Sequence, residues 1–140
     1  MLEIFNALVA CLITTITLYI AGTIIFGKSK NALLKNIIIL AISAIVHTIM
    51  FLYLDGVAKT IAIYTLFILT FKYIFNIKFS KATLFSVIYI ILLLIPDLVT
   101  LFFTTKLLHV SKEVIYTSFA GSVLGNICTN TIMILIIFLL

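Results

Sequence analysis

Charge is missing from most of this chain, and the places where it is missing decide what the chain can become. Of 140 residues, 9% are charged and 65% are hydrophobic, where a soluble domain is about 25% charged and about 45–50% apolar. The charges fall in clusters. Between them lie five stretches close to the ~20 apolar residues that a helix needs to cross a bilayer's hydrocarbon: residues 4–26, 36–54, 57–75, 82–104 and 114–140. The apolar runs are continuous rather than alternating, which favours helices over a β-barrel. The expected fold is all-α, a polytopic transmembrane helix bundle of about five spans forming one membrane-embedded domain. Its first partner is the lipid bilayer. So little polar surface excludes a soluble enzyme, a nucleic-acid binder and a disordered tail.

The first stretch carries Glu3 and no basic residue ahead of it, and it is too long for the apolar part of a secretory signal. It is expected to remain as a membrane helix. The last stretch closes on Ile136–Leu140 without an anchoring Lys, Arg, Trp or Tyr, from which we expect a membrane module of a longer protein. Lys59 and Lys72 lie near the ends of the third stretch, where long stems can lift their ammonium groups to the headgroups. Phe71, Tyr73, Phe75 and Phe79 cluster beside Lys72 as an interfacial belt.

The loops after the first and third stretches hold Lys28, Lys30, Lys35, Lys72, Lys78 and Lys81 without an acid. The opposite side holds Lys59, Lys106 and Lys112 together with Glu3, Asp55 and Glu113. Lysine-rich loops stay cytoplasmic, so the expectation is a multi-pass plasma-membrane protein with its N-terminus outside and its C-terminus inside.

Ionisable groups within a span mark a site or a buried partner. Asp97 follows Pro96, which removes a backbone donor from the helix. At seven residues from the outer end of the fourth stretch, Asp97 is expected about 10 Å deep. His47 is at similar depth in the second stretch, with Ser43 one turn away. Counting inward on the other stretches reaches Cys11, Tyr64 and Gly121-Ser122. The spacing thus predicts a polar layer in the outer half of the bundle, centred on an Asp97–His47 pair, with Pro96 as hinge and Ser122 in the lining. The alternatives are structural: a kink held by an interhelical hydrogen bond at Asp97, and a core histidine bonded to a carbonyl at His47.

The fifth stretch carries Gly121 and Gly125 as GxxxG, followed by Asn126 and Asn130 on one face. Small residues let helices approach closely and asparagine bonds across the contact. That face packs either within the bundle or in a homodimer. Ala10, Thr14, Thr17 and Ala21 form a similar face on the first stretch. Cys11 and Cys128 have no CxxC spacing and are read as small buried hydrophobes. There is no phosphate-binding glycine loop and no HExxH, and His109 is expected to be solvated in the outer loop. No catalytic residue, metal site or cofactor is expected.

Short-looped helices, basic inner loops, and the stretch Phe75-Asn-Ile-Lys-Phe-Ser-Lys-Ala-Thr-Leu-Phe-Ser86 leading into a span with Asp97 together form a pattern. It resembles the N-terminal membrane sensor of peptide quorum-sensing histidine kinases of the accessory gene regulator C type. The resemblance implies a receptor for an extracellular signal, often a small modified peptide, acting as a homodimer ahead of a cytoplasmic kinase portion. The phosphoacceptor and ATP-binding motifs of that portion are absent from these 140 residues, and members often have a sixth or seventh span. The competing functions are a small transporter or transporter subunit with Asp97 as coupling carboxylate, and a bacteriocin-immunity-like membrane protein.

Overall fold

The computed structural model describes residues 2–107 and 119–139. They form five α-helices: α1 (Leu2–Phe26), α2 (Leu33–Tyr53), α3 (Gly56–Phe75), α4 (Phe79–Phe102) and α5 (Phe119–Leu139). Beyond α4 the helix widens into a π-helical turn, Phe103–Leu107. No strand occurs among the described residues, so the all-α bundle expected from the sequence is what forms. The helices pack in a ring, α1 against α2, α2 against α3, α3 against α4, α4 against α5 and α5 back against α1.

Helices α1 to α4 are each long and apolar enough to cross a membrane, whereas the apolar run described in α5 is the shorter Val123–Leu139. Burial identifies the solvent independently. On α2 the buried residues are Asn36, Ser43, Ala44, His47 and Thr48, while Ile37, Ile38, Ile42, Ile45 and Ile49 are all exposed. A helix that turns its isoleucines outward and its hydrogen-bonding groups inward is built for hydrocarbon. The chain is a multi-pass membrane protein.

Helices α2 and α4 begin three residues earlier than the charge-bounded stretches, and so take in Lys35 and Lys81. A lysine in the first turn costs a helix little, because its stem reaches the headgroups. Helix α4 is continuous through Pro96. Its backbone instead departs from α-geometry at the π-turn, where Thr104 and Thr105 donate to the carbonyls of Thr100 and Leu101.

The loop after α1 and the turn after α3 meet at one end of the ring, called here the lysine end. Ser29 Oγ donates to the Ile74 carbonyl at 2.5 Å, and Asn31 Nδ2 lies 2.8 and 2.9 Å from the carbonyls of Tyr73 and Ile74. These are carbonyls of the last turn of α3, which have no partner within the helix. The first loop therefore caps the third helix. Asn76 follows with φ 51°, a left-handed residue that reverses the chain directly into α4.

Above this clasp the half of the bundle nearer the lysines is filled by rings. Phe26 packs on Phe85 at 4.4 Å and on Phe75 at 5.6 Å, and Phe71 packs on Phe85 at 5.8 Å and on Tyr89 at 6.0 Å. Gly22 makes room for them. A methyl built on Gly22 would fall inside the Phe75 ring and 3.1 Å from Phe71.

Gly22→Ala is therefore expected to lower stability in detergent by about 1–3 kcal/mol through overpacking. Combining it with Phe75→Ala should recover most of that loss in a double-mutant cycle of thermal midpoints. Additive effects would show that α1 and α3 do not meet there.

Candidate functional site

Hydrocarbon offers no hydrogen bonds, so each buried polar atom in the spans must find its partner in the chain. The threonines do so locally. Thr14, Thr15, Thr17, Thr48 and Thr70 each donate to the carbonyl four residues earlier, at 2.7–3.0 Å, and behave as small apolar residues. Others link helices. Tyr89 donates to the Thr14 carbonyl at 3.2 Å and Tyr64 to the Thr83 carbonyl at 3.2 Å. Ser43 and Thr70 hydroxyls lie 2.9 Å apart. Because the Thr70 proton goes to Leu66, Ser43 is the donor of that pair.

Against this satisfied background stand three buried side-chain atoms without a partner among the described residues: Asn6 Oδ1, His47 Nδ1 and Asn130 Oδ1. All three lie toward the end of the ring opposite the lysines. Asn6 is in the second turn of α1 and His47 is within two turns of the end of α2. Asn130 adjoins Thr129, whose hydroxyl meets that of Thr100 at 3.3 Å across α4 and α5. Since α1 sits between α2 and α5 in the ring, His47 and Asn130 belong to the two helices that flank the one carrying Asn6.

His47 is 7% exposed and stands edge-on to Phe67 at 5.5 Å. Around it, buried Cys11 reaches the Thr48 hydroxyl, and Lys59 is folded over the Phe51 ring with its Nζ 3.8 Å from the centroid. Lys59 lies half-buried, and the ring it covers is one turn from His47. No group of three or more metal-ligating residues occurs among the described residues.

The sequence-derived site residues divide. His47 and Cys11 share the polar layer, whereas Tyr64 is taken up by the α3–α4 link. Pro96 is buried, but Asp97 is exposed on the outside of the bundle, and no hydrogen bond or ion pair joins it to His47 among the described residues. The expected Asp97–His47 pair is not formed. With about 100° of rotation per residue, the positions that turn inward are Pro96 and Thr100, and Asp97 is carried off that face.

Depth differs as well. Phe67 meets Tyr89 at 5.5 Å, and about two turns further from the lysine end bring α3 to Lys59 and α4 to Asp97. The carboxylate is thus level with a lysine close to the start of α3, shallower than counting along α4 alone suggests.

On α5, Asn130 is buried and its Nδ2 donates to the Asn126 carbonyl at 2.7 Å, so that its amide bonds within its own helix rather than across to another. Gly121, Gly125 and Asn126 are half-buried. Thr14, Thr17 and Ala21 of α1 are buried in the ring. The Ser122 side chain and His109 lie outside the described residues. Asn6, the Thr129–Thr100 contact and the Phe51 seat of Lys59 were not expected from the sequence. A lone Asn in an otherwise apolar first helix was the available signal for the first.

The chain matches no family model, no curated protein and no solved structure.

Removing an unpartnered buried polar group relieves its desolvation cost, whereas removing a partnered one loses a bond. His47→Leu is expected to hold or raise stability, by up to about 1 kcal/mol. Tyr89→Phe should lower stability by about 0.6–1 kcal/mol, the usual worth of a bond between membrane helices. Circular-dichroism melts in one detergent check both signs.

Proposed function

We propose that this chain is the sensor module of a membrane receptor, binding an extracellular small molecule or small peptide in the polar layer around His47. In this reading it serves a signal-transducing histidine kinase of the peptide quorum-sensing type that its sequence resembles. The lysine end faces the cytoplasm of a plasma membrane, with the N-terminus outside and the polar layer in the outer half.

One observation carries the reading. The buried polar atoms left unsatisfied, on Asn6, His47 and Asn130, gather in one half of the ring, while the other half is packed with aromatic rings. Two amide oxygens and an imidazole nitrogen offer a ligand acceptors and one group able to donate or accept. A ligand that satisfied them would favour the packing in which they converge, and a shift between packings is the signal. From His47 a run of ring contacts leads through Phe67, Tyr89, Phe71 and Phe85 to Phe26 at the lysine end. That run is a packed route along which such a shift reaches the cytoplasmic loops. The exposed position of Asp97 weighs against the transporter reading, because a coupling carboxylate belongs in the bundle interior.

Cys11 reports on the layer directly. In a Cys128→Ala background, methyl methanethiosulfonate should modify Cys11 several-fold more slowly when the active peptide fraction of spent culture medium is present. The protection should vanish in His47→Leu. Unchanged Cys11 reactivity with every fraction, together with Asp97-dependent proton uptake into vesicles, would move the assignment to a transporter. Impermeant labelling of cysteines placed at positions 30 and 78 tests the orientation: they should react only from the cytoplasmic side.

A further inference from the structure

We infer that the lysine end of the bundle is a binding surface for anionic phospholipid headgroups. Six of the nine lysines lie there: Lys28, Lys30 and Lys78 in the two connections, and Lys35, Lys72 and Lys81 in the helical turns that border them. Of the described acids, Glu3 and Asp55 lie at the opposite end and Asp97 toward it, so no carboxylate among the described residues neutralises these ammonium groups. All but Lys72 are exposed, and Lys72 lies over the rings of Tyr73 and Phe79 at 5.6 and 5.8 Å.

The surface is held in shape. Ser29 and Asn31 tie the first connection to the Tyr73 and Ile74 carbonyls, and Lys35 Nζ donates to Asn31 Oδ1 at 3.3 Å. Lysines from three helices and both connections are thereby fixed along one rim.

What selects a lipid over a soluble phosphate is the surface next to the lysines. Leu33 and Leu34 adjoin Lys35, and Phe79 and Leu84 flank Lys81, all four exposed. A phosphodiester at the lysines places its acyl chains along these side chains, a combination that inorganic phosphate does not use. Lysines near an anionic leaflet attract it additively and over short range.

Intact-mass spectrometry of the full chain, released from nanodiscs of equimolar phosphatidylglycerol and phosphatidylcholine, tests this. Wild type should retain phosphatidylglycerol several-fold over phosphatidylcholine. The preference should fall by about twofold or more when either of two lysine pairs is neutralised. The pairs Lys28→Gln with Lys30→Gln and Lys78→Gln with Lys81→Gln, made separately, keep the test intact if one does not fold. Lys59→Gln with Lys106→Gln should leave the preference unchanged. Equal retention of the two lipids, or equal loss from the Lys59 and Lys106 substitutions, overturns the inference. Displacement of phosphatidylglycerol by inorganic phosphate, itself retained, would make the surface a soluble-phosphate site and overturn the lipid assignment.

Discussion

Everything in this structure follows from a solvent that cannot hydrogen-bond. In water an unpaired hydroxyl or amide finds a partner at no cost to the fold, but in hydrocarbon it costs several kcal/mol. Helix α2 shows the consequence most openly, with Asn36, Ser43, His47 and Thr48 inside and isoleucines outside. The inward face of each helix is chosen by where hydrogen bonds can be completed. Apolar packing then fills the space left over, at Leu18, Ala21, Ile74 and Met133.

The two ends of the ring use this constraint differently. At the lysine end the loop hydroxyl and amide of Ser29 and Asn31 close the carbonyls of α3, and Phe26, Phe71, Phe75 and Phe85 pack around Gly22. That end is over-determined. Toward the other end Thr129 meets Thr100 across α5 and α4. Three buried atoms of the described residues there stay without partners. In the proposed orientation, a bundle held firmly at one end and left unsatisfied at the other has its adaptable part on the outer side.

Much of the fold could be read from the spacing of charges, because hydropathy and helix length are both set by bilayer thickness. The sharing of one end by six lysines could be read as well, since it needs only alternating helix direction. What could not be read was rotation. Helix α4 is apolar nearly all round, so nothing in its pattern marks which side Asp97 takes, and the neighbouring Pro96 and Thr100 settle it by packing inward. Register between helices was equally hidden. Counting from a chosen boundary made Asp97 deep, whereas its level is set by the Phe67–Tyr89 contact, a pairing between residues far apart in sequence. His47 and Cys11 could be recognised because a polar or reactive group in an apolar run stands out alone. The role of Asn31 could not, because an asparagine in a loop looks the same whether it faces water or caps a distant helix.

The clasp between Asn31 and α3 also bears on how the molecule is made. Residues 29 and 31 leave the ribosome long before Tyr73 and Ile74, so the first hairpin enters the bilayer with its loop unclaimed. Helix α3 has the lowest hydropathy of the four spanning helices, 1.5 against 2.1–2.5 for the others, and is the one least inclined to insert unaided. Its arrival supplies the carbonyls for which Ser29 and Asn31 are waiting, and the Phe75 and Phe71 rings that fill the space beside Gly22. Biogenesis therefore has a natural checkpoint: the hardest segment to integrate is also the keystone that locks the earlier pair in place.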